Sequence, residues 1–264
     1  VIEGSADEEE GDKGMDKSQK QELVARVGRW WHSIDLGDGV VTPGRKTKDQ
    51  LALELEAWKL PSFEGKTVLD IGAWDGFFSF HAEKCGARRV LAMDYHVWAL
   101  DLNRLGPWHR ARVEAGRNAV PYERVPGLSN PGTLPGKAGF DTAHRILGSN
   151  VEQLVADFQE VQPERVGTHD VVLFLGVLYH TQDPLAALRR VALFTREVAV
   201  IETAAIHVPG QEHLALFEFY ESDELDDDVT NWWAPNLLGL SKLCRAAGFR
   251  EVKPVAWRED PSAR

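Results

Sequence analysis

The stretch TVLDIGAWDGFFSF, residues 67–80, decides how the rest of the chain is read. An apolar run ends in an acid, then come Gly72 and Gly76, then an aromatic-rich segment with helical spacing. Strand, tight glycine turn and helix in that order form the opening of a nucleoside-binding α/β unit. Glycine suits the turn because its backbone can bend sharply and approach a ligand closely. The next apolar run, RVLAMD (89–94), ends in Asp94, 24 residues after Asp70. An acid at the end of a second strand is placed to accept hydrogen bonds from ribose hydroxyls.

Outward from this segment the alternation continues. VEQLVAD (151–157), DVVLFLGVLYH (170–180) and EVAVIETA (197–204) read as further strands, with a last one in FREVKPVAW. The run at 170–180 is almost unbroken in its apolar character, as in a central strand buried on both faces. Helices are predicted between the strands, one opened by Pro184 and one spanning Asn236 to Ala247 and closed by Gly248. The pattern predicts an α/β fold: a Rossmann-like, doubly wound, mostly parallel sheet. Two amphipathic segments, Lys17 to His32 and Asp49 to Leu60, precede the first strand. They predict an N-terminal helical cap over 15–62, with the main domain over 63–264. Long insertions are expected at about 116–138, which is rich in Pro and Gly, and at 206–235, which is aromatic and acidic. A turn is expected at Gly37-Asp38-Gly39.

Composition narrows the function. The net charge is −11; residues 1–14 carry six acids and one lysine, hence −5, leaving −6 for the remainder. That acidic tail reads as disordered. An acidic total argues against non-specific nucleic-acid binding, which draws on clustered Lys and Arg. No apolar run is long enough to cross a bilayer, and no signal peptide is evident. Two distant cysteines, Cys85 and Cys244, suit a reducing compartment, so a cytoplasmic protein is expected. No metal site is expected: His207, Glu212 and His213 follow no ligand spacing, and read better as solvated loop residues. The run ESDELDDD (221–228), with six acids, reads as a solvated loop.

The glycine turn separates two cofactor classes. Dinucleotide sites use G-x-G-x-x-G, so that a helix N-terminus can hold the pyrophosphate. Here Trp74 stands where the second glycine would be, and Asp75 would meet a pyrophosphate with like charge. S-adenosylmethionine carries no phosphate, and its sulfonium and amino groups are cationic, so the acids suit it. Trp74 reads either as a cofactor contact or as a tryptophan packed against the cap.

These residues resemble the class I S-adenosylmethionine-dependent methyltransferases over about residues 66–257. The resemblance implies that Asp70, Gly72, Ala73 and Gly76 line the methionine and ribose side; Trp74, where the loop departs from the family pattern, is a further cofactor-binding candidate. The resemblance also implies Asp94 at the ribose, Tyr95 against the adenine, Asp157 and Phe158 at the adenine amino group, and Leu175 and Gly176 under the cofactor. GVLYHTQDPLAAL (176–188) and NWWAPN (231–236) resemble, more closely, the bacterial tRNA wobble-uridine methyltransferases acting on 5-hydroxyuridine, and their uncharacterised relatives. In that family the tyrosine matching Tyr179 meets the extra carboxylate of carboxy-S-adenosylmethionine, and basic residues such as Arg45, Lys46 and Lys48 lie in the corresponding upstream region. Plain S-adenosylmethionine is the cofactor expected here.

On the acceptor side, His180 is the candidate base, since imidazole takes a proton near neutral pH; the alternative is a structural histidine tying the strand end to the next helix. Tyr179 and Glu202 stand at neighbouring strand ends as further catalytic candidates. Trp232, Trp233 and Asn236 are candidate substrate contacts, with one tryptophan packing and the other walling the acceptor. The expected activity is O-methylation of a hydroxyl on a small molecule, a sugar or specialised metabolite; the alternative is tRNA wobble-uridine methylation.

Overall fold

The computed structural model describes residues 15–116, 122 and 125–255. Five strands form one all-parallel sheet: β1 (Thr67–Ile71), β2 (Arg89–Asp94), β3 (Glu152–Val155), β4 (His169–Leu175) and β5 (Thr195–Glu202). Their order is β3-β2-β1-β4-β5, so the order reverses between β1 and β4. In such a sheet the crevice at the carboxyl ends of the two central strands is the ligand site.

Alternation along the strands explains the apolar runs. Val68, Val90, Ala92, Val171 and Leu173 enter one core layer, and Leu69, Leu91, Met93, Val172 and Phe174 the other. The sheet is therefore buried on both faces, as parallel sheets require. The first layer is closed by Phe78 and Phe80 of α3 (Phe77–Lys84), by Phe140 and Ala143 of α6 (Ala138–Leu147), and by Trp30, Ile34 and Leu36. The second is closed by Leu188 and Val191 of α8 (Pro184–Phe194) and by Cys244 and Ala247 of α9 (Leu237–Ala247). Short helices α4 (His96–Ala99) and α7 (Pro163–Val166), with the longer α5 (Leu102–Glu114), complete the connections. An antiparallel pair, β6 (Phe217–Phe219) with β7 (Trp233–Pro235), stands apart from the main sheet within the predicted 206–235 insertion.

Residues 15–62 hold two helices, α1 (Lys17–Arg26) and α2 (Lys48–Trp58), each begun by a reciprocal capping box at Asp16 and Thr47. The first helix is shorter than its sequence suggests: it ends at Arg26, and Trp30 and Trp31 lie in extended chain. That segment runs parallel to residues 45–46, with Lys46 N–H donating to Trp31 O (2.8 Å) and Ser33 N–H to Lys46 O (3.0 Å). These long-range bonds replace the helix that apolar spacing alone predicts. The two segments meet at Gly44, where a Cβ would fall 2.1 Å from the His32 carbonyl carbon. The Gly37-Asp38-Gly39 turn forms, closed by Leu36 N–H on Val40 O (2.9 Å).

Two strand boundaries also differ. The third strand covers four residues and stops before Ala156. Residues 249–255 of the predicted last strand pair with nothing in the sheet, and Ala256 and Trp257 of FREVKPVAW lie outside the described residues, as do the acidic tail and part of the 116–138 segment. No helix among the described residues is long and apolar enough to cross a membrane.

Candidate active site

The turn after β1 is pinned to the end of β2. Gly72 N–H and Ala73 N–H both donate to Met93 O, at 2.8 and 3.3 Å. Gly72 has φ +80°, and a Cβ on it would lie 2.5 Å from Val177 Cγ2, so the turn admits no side chain there. Gly76 begins α3. Asp94 is buried; its Oδ2 accepts from Trp74 N–H (3.0 Å) and its Oδ1 from Val97 N–H (3.1 Å). Burial raises its pKa, and those backbone donors partly counter the rise. The carboxylate is thus oriented at the end of β2, beside the crevice. Tyr95, half-buried, follows it.

Asp70 lies deeper than a surface ligand contact. Its Oδ2 accepts from Ser79 Oγ (2.6 Å), and burial pushes its pKa up to about 6. Asp75 has a different task altogether. Its Oδ2 accepts from Trp31 N–H (2.9 Å) and His32 N–H (2.8 Å), while Oδ1 meets His32 Nδ1 at 2.5 Å. The carboxylate that seemed free to face a sulfonium is engaged by the cap instead. Trp74, at φ +49°, stacks on Trp31 with ring centroids 4.5 Å apart, and the Arg45 guanidinium lies over the Trp31 ring at 5.2 Å. Of its two readings, the structure shows the packing one, although Trp31 belongs to a loop and not to a helix.

On the adenine side, Asp157 is held by Gln159 N–H (2.8 Å) and approached by His96 Nε2 (3.4 Å), which keeps it below the usual carboxylate range against the opposing pull of burial. Phe158 lies in the core. Its ring packs on Phe174 (5.2 Å), and its carbonyl accepts from Arg190 Nε (3.1 Å).

At the carboxyl end of β4, Leu175 pairs with Glu202 of β5. Gly176 then turns at φ +70°, and a Cβ on it would lie 3.5 Å from Tyr179 Oη and 3.7 Å from Glu202 Oε2. Tyr179 and Glu202 are therefore brought together over the strand ends. Burial drives the tyrosine pKa upward, followed by the charges of Glu202, Asp228 and Asp226. Burial also raises Glu202, with Lys46 opposing and Glu54 adding; those two residues of the cap form an ion pair at 2.9 Å.

His180 is fixed through one ring nitrogen. Nδ1 lies 2.8 Å from Thr230 Oγ1 and 3.3 Å from Thr230 O. Thr230 Oγ1 donates to Asp228 Oδ1 (2.7 Å), which also accepts from Thr230 N–H (2.9 Å) and Tyr122 Oη (3.0 Å). Sequence reading missed Asp228 and Thr230, because the acid closes a run that reads as solvated. The signal available was an Asp two residues before a Thr, a spacing that favours a local side-chain turn.

The tryptophan pair divides. Trp233 is buried, with Nε1 donating to Thr181 O (2.8 Å); Trp232 is half-buried, with its N–H on Tyr179 O (2.9 Å). Asn236 is corrected from substrate contact to helix cap: Oδ1 accepts from Gly239 N–H (2.8 Å) and Leu216 N–H (3.1 Å), and Nδ2 donates to Leu214 O (2.7 Å). Every polar atom of that side chain is used within the fold. No group of three or more His, Cys, Asp or Glu among the described residues forms a metal site.

A family model described as a methyltransferase domain matches residues 45–253. A tRNA U34 carboxymethyltransferase from Campylobacter lari is 27% identical over 204 residues, covering 76% of this chain and 55% of that protein. One from Campylobacter jejuni is 21% identical over 241 residues, 86% of this chain and 75% of that protein. The chain thus spans little more than half the length of the first relative. Among solved structures, the N-terminal domain of EvdMO1, crystallised in the presence of SAH and D-fucose, superposes with a TM-score of 0.56 at 17% identity, over 96% of this chain and 94% of that one.

Proposed function

The chain belongs to the methyltransferase-domain family, whose chemistry is methyl transfer from S-adenosylmethionine, and on that premise we propose that it O-methylates a hydroxyl of a small molecule. The residues fit this cofactor better than a dinucleotide. Asp70 and Asp94 stand at the ends of β1 and β2, where they suit cationic and hydroxyl-bearing groups and would repel a pyrophosphate. Asp94 would hold the ribose, with Gly72, Ala73 and Gly176 forming the floor of the crevice.

The observation that carries the acceptor reading is the acidity around Tyr179. Burial raises the pKa of its hydroxyl and the charges of Glu202, Asp228 and Asp226 add to the rise, so three acids stand near this hydroxyl above β4 and β5, with Lys46 beside Glu202. Such surroundings receive a neutral polyol or phenol through hydrogen bonds and oppose the phosphates of a nucleic acid. Methyl transfer is chiefly a matter of positioning, with a base assisting when the acceptor is a hydroxyl. Trp232 supplies a half-buried aromatic wall beside Tyr179, and His180 the base. The two unpaired thiols, Cys85 and Cys244, suit action in the cytoplasm.

A second reading is wobble-uridine modification of tRNA, with either plain or carboxylated cofactor. It is favoured by the names of the relatives and by a cluster of Arg29, Arg45 and Arg110. The nearest guanidinium nitrogens of Arg29 and Arg110 stand 3.9 and 3.6 Å from the Cβ position of Gly106. Radiolabelled methyl transfer separates the two. Label should enter a panel of monosaccharide and phenolic hydroxyls; label or a carboxymethyl group entering unmodified tRNA instead would overturn the small-molecule reading.

A further inference from the structure

The hydrogen bonds of His180 fix which of its nitrogens carries the proton. A carbonyl oxygen can only accept, and Thr230 O lies 3.3 Å from Nδ1. The hydroxyl of Thr230, 2.8 Å from the same nitrogen, has its own proton directed at Asp228 Oδ1, 2.7 Å away. It therefore also receives a proton from Nδ1. Both contacts demand Nδ1–H, and a neutral ring then has its lone pair on Nε2. Asp228 is itself held, since Oδ1 takes Thr230 N–H (2.9 Å) and Tyr122 Oη (3.0 Å) in addition. Two residues of the 221–230 segment thus reach across to the end of β4 and orient one imidazole.

We propose that Asp228 and Thr230 are positioning residues that hold His180 as the Nδ1–H tautomer, so that Nε2 takes the proton of the acceptor hydroxyl during methyl transfer. This rests on the hydroxyl-acceptor reading above. In that step the acceptor oxygen gains the methyl carbon and the electron pair of the broken carbon–sulfur bond stays on sulfur. The hydroxyl proton passes to Nε2 and then to water. The imidazolium formed in between is stabilised through Thr230 by the Asp228 carboxylate, a base–orienter arrangement in which the third group is not itself protonated.

The charges around the ring set the pH behaviour. Burial lowers the His180 pKa, so the base is neutral and competent at physiological pH; Asp228 opposes that shift and His96 reinforces it. Tyr179, its ring 4.3 Å from that of His180, is held protonated by burial and by Glu202, Asp228 and Asp226. Burial lowers the pKa of Arg29 in the cap, and the charge of Asp228 opposes that shift.

The test joins NMR to kinetics. In 15N-histidine-labelled protein without substrate, long-range proton–nitrogen correlations should show His180 with a protonated Nδ1 and a bare Nε2. Nε2–H in the wild type would overturn the proposal. Thr230→Val and Asp228→Asn should mix the tautomers and lower kcat about 10- to 100-fold, with S-adenosylmethionine affinity within about twofold of the parent by the same reasoning. Thr230→Ser should restore both tautomer and rate. Asp228→Asn should also move the acidic limb of kcat to lower pH, because the charge that raises the imidazole pKa is gone; an unmoved limb would reduce Asp228 to a structural role. If tRNA is the acceptor, methylation of small-molecule hydroxyls fails while the tautomer pattern persists, so the two failures are distinct.

Discussion

Trp31 lies flat on Trp74, with centroids 4.5 Å apart and 12° between the ring planes. The contact joins the cap to the glycine turn, and it is made by a residue whose backbone sits at φ +49°. Only the stack and the loop bonds favour that conformation, because a left-handed backbone costs a non-glycine residue about 1 kcal/mol. Trp74→Ala should lose the stack and keep the strain, whereas Trp74→Gly loses the stack and relieves it. Urea unfolding should find the glycine variant more stable than the alanine variant by about 1 kcal/mol. Equal stability would mean that the strain is absorbed elsewhere.

Asp75 accepts two backbone N–H groups and one imidazole nitrogen, all from residues 31 and 32. Asp75→Ala leaves those buried groups without partners, at a cost of about 3–5 kcal/mol. Hydrogen exchange of amides over residues 30–46 should accelerate while β1 and β4 stay protected. Unchanged exchange would show that the cap is anchored by its apolar contacts alone.

Asp70 gives a pH dependence with a definite sign. Its pKa rises from 3.8 to about 6 on folding, so the folded protein keeps a proton that the unfolded chain has released. The stabilisation is full below 3.8 and is lost as pH climbs through 6. Relative to Asp70→Asn, the wild type should lose on the order of 3 kcal/mol between about pH 4 and pH 7. Denaturant midpoints for the pair across that window decide it, and a wild type that holds or gains stability relative to the variant as pH rises would refute the assignment.

Asp94→Ala should weaken S-adenosylmethionine binding by about 10- to 100-fold in calorimetry, from the loss of charge-assisted bonds to the ribose. Asp94→Asn keeps an acceptor oxygen for Trp74 N–H or Val97 N–H and should lose less. Undiminished affinity in a folded Asp94→Ala variant would remove the ribose role.

The sheet was legible because its three central strands are nearly unbroken apolar runs, and the glycine turn because its spacing follows from local geometry. What the sequence hid depends on partners far along the chain. Gly28 and the pairing with residues 45–46 end α1 early, though Trp30 and Trp31 keep the apolar spacing of a helix. Asp75 sits inside the cofactor motif, yet its partners lie 43 and 44 residues away. Asp228 looks like one more solvated acid until Tyr122, 106 residues earlier, is seen to donate to it. Asn236 followed the tryptophan pair and was grouped with it, when its place before a helix made it a cap.

The anchoring of Asp75 also moves the border of the folding unit. The methyltransferase family model matches from residue 45, but the groups that hold and surround this carboxylate lie at residues 31 and 32. A polypeptide started at residue 45 would fold its glycine turn around an orphaned buried anion, with one face of Trp74 bare. The border of the matched family segment and the border of the mechanical unit therefore part company in this chain, and anyone trimming it for expression should cut upstream of Asp16, the residue that caps the first helix.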